Sequence, residues 1–370
     1  MALQLLSRKR YPESVLDLYV EHRYSSFLGS FLEAIGYKFK PTQVQPKRLN
    51  AALQHIEGLR AFVGDVPGIG VSGAFNLNMA RGDRKIQLIT ADDSSLDIIL
   101  KFHSTVVMNV ISYSHIYSLY PRGTFQESLS LINHWNDDSE QQVARQKYVD
   151  RGWKMLDSDG SEWKLNSFMV GFASFSSYSE SYHGLTEEHI GIFQVNKLRR
   201  LGDSYCWTFK LPTLVYPTEN DPSTEQGYRW LMSRRYDLPT PLVMEELLTG
   251  KQALESNTWV LSLQEYEMED EDGEMFSTGV ETYRMRFYND LSNSQLRFTY
   301  CVGMESEDHA AHELIKRVHA SEVVRGRKGT EGGPFGGCAF SAPLDFRAKS
   351  IDLLLYDVVD EHLRYLDEEK

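Results

Sequence analysis

Hydrophobic periodicity switches abruptly near residue 21, and that switch constrains the fold more than any other feature of the chain. Residues 15–20, VLDLYV, alternate: Leu16, Leu18 and Val20 point to one side of an extended chain, and Val15, Asp17 and Tyr19 to the other. Directly afterwards, SSFLGSFLEAIGYKF is apolar at helical spacing through Phe27, Leu28, Phe31, Leu32 and Ile35, with Gly36 placed to end the helix. A strand feeding a helix is the beginning of an α/β unit. ALQLL, ahead of it across the turn RKRYPES, reads as a short helix, and RLNAALQHIEGLRAFVG as another. KIQLITA predicts a strand. SLDIILKFHSTVVMNVIS is long and apolar, with β-branched Thr105, Val106, Val107 and Val110, and part of it predicts a buried strand. TFQESLSLINHW and DSEQQVARQKYVDRGW predict helices, the second capped by Asp138 or Ser139.

Beyond about residue 155 the character changes. SFMVGFASFSSYS, IGIFQVNKL and SYCWTFKLP read as strands divided by polar turns. LPTLVYPTENDPSTEQ holds three prolines and is the best linker candidate. TPLVMEELLTGKQAL restores a helix, and the stretch from TWVLSLQ to RFYND predicts a long hairpin turning at Asp272-Gly273. HAAHELIKRVHASEVV predicts a helix, RGRKGTEGGPFGG a mobile loop, and SIDLLLYDVVDEHLRYL a closing helix. The expected class is α/β to α+β: an α/β region over 1–135, a strand-rich α+β region over 136–245, and a hairpin-and-helix region over 246–370.

Charge and cysteine content narrow the function classes. A net charge of −13 over 370 residues argues against bulk nucleic-acid binding, because phosphate neutralisation dominates that affinity. Cys206, Cys301 and Cys338 are odd in number and far apart, so neither a disulfide scaffold nor a zinc module is indicated. No N-x-[ST] acceptor occurs, the apolar start MALQLL is too short for a signal peptide, and no segment has the length of a membrane span. The expectation is an intracellular protein, cytoplasmic or nuclear, with no membrane partner.

Several local motifs match functional patterns, and each has a plainer structural reading. GIGVSG fits G-x-G-x-x-G through Gly68, Gly70 and Gly73, with Asp92 and Asp93 about twenty residues on, as a dinucleotide site requires. Pro67 precedes it, however, and AFNLNMARG is too short and interrupted for the crossover helix, so a glycine-rich surface loop is expected. His309, His312 and His319 share a helix face with Lys316, whose ammonium would repel a metal. EYEMEDEDGE lacks the calcium-loop pattern and reads as a solvated turn; RGRKG lacks Walker spacing and reads as a basic loop. His103 reads as hydrogen-bonded structure, and no G-x-S-x-G nucleophile elbow occurs.

YPESVLDLYVEHR, IGYKF, KIQLI, KFHSTVVMN, YPRGTF, QKYVDRGW and RRLGDSYCWTFKLP, in that order over about residues 1–210, resemble a large family of fungal, chiefly basidiomycete, proteins. The N-terminal part of that family is similar to the nucleotidyltransferase fold of the polymerase-beta type, in which a Gly-Ser turn and a short helix precede an Asp-x-Asp strand. The resemblance implies a mixed sheet flanked by helices. It makes Asp17 the second acid of the pair, with Val15 at the first position and Gln87 where a third acid would sit. Two acids at i and i+2 share a strand face and hold a Mg²⁺ pair. With Val15 in place of the first, the implied protein is a degenerate nucleotidyltransferase-like binding or regulatory module that needs no cofactor, and its partner is a nucleotide or another protein. Two alternatives stand: an active Mg²⁺-dependent nucleotidyltransferase in which Asp92 or Asp93 joins Asp17 as a relocated metal ligand, or an interaction protein without catalytic ancestry.

Overall fold

The computed structural model describes residues 1–63, 71–80, 83–133, 139–157, 160–165, 185–212, 251–252, 254–269, 275–286, 289–291 and 298–302, with 356, 359–361, 363 and 364. The opening elements follow the sequence periodicity: α1 (Ala2–Ser7), β1 (Leu16–Glu21), α2 (His22–Ala34), β2 (Tyr37–Lys40), α3 (Leu49–Val63), β3 (Val71–Met79) and β4 (Lys85–Ala91). The four strands form one sheet in the order β1-β4-β3-β2. β1 runs parallel to β4, and the β4–β3 and β3–β2 pairs are antiparallel, so the sheet is mixed.

One face of this sheet is apolar and covered. Leu16, Leu18 and Val20 of β1 join Phe75 and Leu77 of β3 and Ile86 and Leu88 of β4 against Leu32 of α2 and Leu49, Ala52 and Leu53 of α3. Burying side chains of this size contributes roughly 1.5–3 kcal/mol each, which sets the strand register: a slip of one residue would turn the whole set to solvent. α2 and α3 cross closely at Gly29, where a Cβ would stand 2.9 Å from Leu49 Cδ2.

The second core gathers around Tyr117, Tyr120, Phe193 and Trp259, drawing on side chains from Leu96 to Cys301. Around it lie α4 (Ser95–Leu100), β5 (Asn109–Ile111), β6 (His115–Ser118), β7 (Leu129–Leu131), α5 (Ser139–Asp150), β8 (Lys154–Leu156), α6 (Glu187–Phe193), β9 (Leu198–Arg200) and β10 (Trp207–Lys210). β11 (Thr258–Glu269) and β12 (Met275–Arg286) form the long antiparallel hairpin expected from sequence, and β9 pairs with β11 on its other side. β13 (Asn289–Leu291) pairs with β14 (Tyr300–Val302). The chain is thus mixed α/β with several small sheets. Among the described residues, no helix is long and apolar enough to cross a membrane.

Three segments differ from expectation. In SLDIILKFHSTVVMNVIS the strand is short, Asn109–Ile111 of β5, while residues 95–100 form α4 and Thr105–Val107 a 3-10 turn. Leu96, Asp97, Ile98, Ile99 and Leu100 are all buried, so the run is buried on every side and carries no period, and Ser94 Oγ caps it by accepting from Leu96 N at 3.2 Å. IGIFQVNKL is the end of α6 followed by a turn, not a strand. Thr186 Oγ1 caps the helix, and Gln194 and Asn196 take left-handed backbone (φ 52° and 59°), leaving only Leu198–Arg200 extended. TFQESLSLINHW is a single wide helical turn over Arg122–Glu127, broken at left-handed Ser128 (φ 54°) and followed by β7, which pairs parallel with β8. The proline-rich linker beyond residue 212, the His309 helix, the RGRKG loop, the strand expected over SFMVGFASFSSYS, the turn at Asp272-Gly273, Gly68, Gly70, Cys338 and most of the closing helix lie outside the described residues.

Candidate functional site

β1 has β4 as its only strand partner among the described residues, and its odd-numbered side chains face away from α2 and α3. Parallel pairing sets Asp17 beside Gln87, and antiparallel pairing sets Gln87 beside Asn76. Gln87 Nε2 donates to Asn76 Oδ1 at 3.3 Å. Across the open face, the row through the expected metal position therefore reads carboxylate, amide, amide.

A cleft of about 920 Å³ opens along this face of β1. α1, the start of α4, residues 102–113, α5 and residues 298–300 contribute its walls. The approach to β1 is locked to the end of α5: the Arg151 guanidinium lies 3.8 Å from the Tyr11 ring centroid and ion-pairs with Glu13. That lock sets Lys147 and Tyr148 of α5 in the cleft with Asp17. At the far end of β1, buried Glu21 ion-pairs with Arg23 at 2.5 Å and accepts from Thr299 N at 2.9 Å, tying the strand to β14's approach.

Asp17 makes no hydrogen bond or ion pair with a described residue. Solvent reaches it, but the cleft walls crowd it. Burial pushes its pKa up, against the opposite pull of the Lys147 ammonium and the Met1 amino group. Tyr19 packs edge-on against Phe102 with centroids 6.0 Å apart; burial first, then the Asp17 and Tyr148 charges, push its pKa up and keep the phenol protonated. His103 is buried with Nδ1 2.8 Å from Ser104 Oγ. Burial and the Arg145 charge push its pKa down to about 3, so it is a neutral structural group at physiological pH.

Asp92 and Asp93 are not brought to Asp17. Ala91, paired with Glu21, ends β4, so Asp92 lies five residues beyond Gln87, roughly 16 Å along the strands. Asp92 accepts from Ser72 Oγ, and both acids instead reinforce the field at buried Asp97, whose carboxylate meets Lys101 Nζ at 2.6 Å. Gly73, third glycine of the G-x-G-x-x-G pattern, lies inside β3, where a Cβ would collide with Ile56 Cδ1; its smallness serves helix–sheet packing. Among the described residues no group of three His, Cys, Asp or Glu side chains could hold a metal ion. A hard divalent cation needs several oxygen ligands, and Asp17 with Val15, Gln87 and a nearby ammonium does not fit one.

The raised pKa makes ionised Asp17 a cost to folding. The folded state holds its proton more tightly than the unfolded chain, so the cost is absent below the unfolded value of about 3.9 and fully present above the folded value. Asp17→Asn should therefore raise stability at pH 7, by well under about 1 kcal/mol after solvent screening, and the gain should vanish below about pH 4. Thermal melts of both proteins across pH measure this.

The sequence points to Asp17 and to position 87, which the strand pairing sets side by side. It gives no sign of Lys147 and Tyr148 in the cleft, whereas Glu21 continues the odd-numbered face of the strand. Comparison with protein-family models, curated proteins and solved structures finds no match to this chain.

Proposed function

We propose that this chain is a nucleotidyltransferase-like protein of the fungal family it resembles, one that has lost transfer chemistry and serves inside the cell as a binding or regulatory module. One observation carries the reading: the row across β1, β4 and β3 holds a single carboxylate, Asp17, with Gln87 and Asn76 beside it. The mixed sheet with α2 and α3 on its covered face supports the ancestry, and the cleft over the open face supports retained binding. Cys206, a buried thiol outside any disulfide among the described residues, suits a reducing compartment. The test is pyrophosphate release from the four nucleoside triphosphates with Mg²⁺ or Mn²⁺. Release at the protein-free rate, unchanged by Asp17→Ala, is expected. Release above that rate that disappears in Asp17→Ala would overturn the reading in favour of an active enzyme.

A further inference from the structure

The cleft is a poor match for a polyphosphate and a good match for something else. Its volume, about 920 Å³, is at the upper end for small-molecule sites. Aromatic side chains supply much of its wall: Tyr19 against Phe102 near Asp17, Tyr24 against Phe298 (centroids 6.2 Å apart) toward Glu21, and Tyr148 from α5. Among the described residues the charged groups that line it are two carboxylates, Asp17 and Glu21, and one side-chain ammonium, Lys147, together with the Met1 amino group. Glu21 is already satisfied by Arg23 and the Thr299 amide. Asp17 makes no hydrogen bond or ion pair among the described residues. Asn109 adds a second acceptor: its Oδ1 is buried and without a partner, while its Nδ2 donates to Val106 O at 2.7 Å.

We infer that this cleft binds a small organic monocation with a flat apolar body, its ammonium held by the Asp17 carboxylate and its body lying against Tyr19, Phe102 and Tyr148. An unpaired carboxylate within aromatic walls offers a cation two attractions at once, ion pairing and the negative faces of the rings. A triphosphate would meet the Asp17 carboxylate with Lys147 and the Met1 amino group as the cations beside it, inside a protein of net charge −13 whose field repels polyanions. The inference rests on the binding half of the preceding reading and not on its ancestry.

Two probes of equal shape and opposite charge isolate the point: tryptamine and indole-3-propionate, titrated calorimetrically into the full chain. Tryptamine should bind saturably, and indole-3-propionate at least about tenfold more weakly. Asp17→Asn should abolish that preference, Phe102→Ala should weaken tryptamine, and Lys147→Met, which removes a like charge, should tighten it. Equal or tighter binding of the anion, tryptamine affinity unaffected by Asp17→Asn, or no saturable tryptamine binding up to about 10 mM would each overturn the inference. Magnesium-ATP is the third arm: Asp17-dependent pyrophosphate release from it would sink the reading of lost transfer and leave the charge preference of the indole pair to stand or fall separately.

Discussion

Replacing Asp203 by asparagine should cost about 3–5 kcal/mol of folding stability, the range for removing one partner of a buried ion pair. Its partner, Arg199 on β9, has a side chain 1% exposed. The guanidinium bonds Asp203 twice, Nε to Oδ2 at 2.6 Å and Nη2 to Oδ1 at 3.1 Å, and Nη2 also donates to Leu119 O at 3.1 Å. It lies 5.4 Å from the Tyr120 ring, 5.4 Å from Tyr205 and 5.5 Å from Trp259. Asp203 meanwhile accepts the backbone N–H groups of Arg200, Tyr205 and Cys206, so it is both the counter-ion and the nucleus of the turn. Asparagine keeps an acceptor for that turn and removes the charge, stranding a cation inside an aromatic box. Arg199→Met added to Asp203→Asn should recover part of the loss, because two apolar or neutral groups in this place no longer include a buried unpaired charge.

The same pair predicts an acid limb with a definite sign. Burial works against ionisation of Asp203, but the Arg199 charge and the hydrogen bonds outweigh it and hold its pKa below the ordinary carboxylate value. The folded state therefore releases this proton more readily than the unfolded chain. Its contribution is present above the unfolded pKa of about 3.9 and is lost as pH falls through the lower folded value. Denaturant melts of wild type and Asp203→Asn should differ by the full amount at pH 7 and converge toward acid. A difference below about 0.5 kcal/mol at pH 7, the size of an ordinary surface change, would contradict the account.

What could be read from the sequence follows from the range of each signal. The alternation through Leu16, Leu18 and Val20 is local, and it gave the strand, its buried face and the side on which Asp17 stands. The helices α2 and α3 followed from their own periodicity. Residues 95–100 give no helical signal because a helix buried all round carries no period, and IGIFQVNKL misled because Gln194 and Asn196 accept left-handed backbone that glycine more usually marks. The cleft is less legible than the sheet. Asp17 and Lys147 are separated by 130 positions in the chain, and the Arg151 stack on Tyr11 that sets α5 beside β1 has no signature in the spacing of either segment. The Arg199–Asp203 knot was equally silent: an i, i+4 pair in RRLGD looks like surface charge until Tyr120 and Trp259 close over it.

Placing further acids around Asp17 should turn a site whose residues do not fit a divalent ion into one whose residues do. In Val15→Asp/Gln87→Asp, the new carboxylate at 87 stands beside Asp17 on the paired strand, about 4.8 Å away between backbones, and the one at 15 stands directly ahead of the strand, where the sequence alternation sets it on the side of Asp17. Three carboxylates then converge where one stood. Without metal, their mutual repulsion should raise their pKa values and lower stability at neutral pH. With Mn²⁺ that repulsion becomes the attraction that holds the ion, so affinity should rise at least roughly 100-fold over wild type. Stability supplies an independent reading, because binding to the folded state alone adds about 2.7 kcal/mol when the metal is at 100 times its Kd. The double variant should therefore be less stable than wild type in chelator and should recover in Mn²⁺, while wild type responds to neither. Gln87→Asp alone should show a weaker form of both effects, since two carboxylates on neighbouring strands bridge an ion less completely than three. Should the double variant fold and still bind no Mn²⁺, the row through Asp17 and Gln87 is not the remnant of a metal site, and the nucleotidyltransferase ancestry loses its principal support.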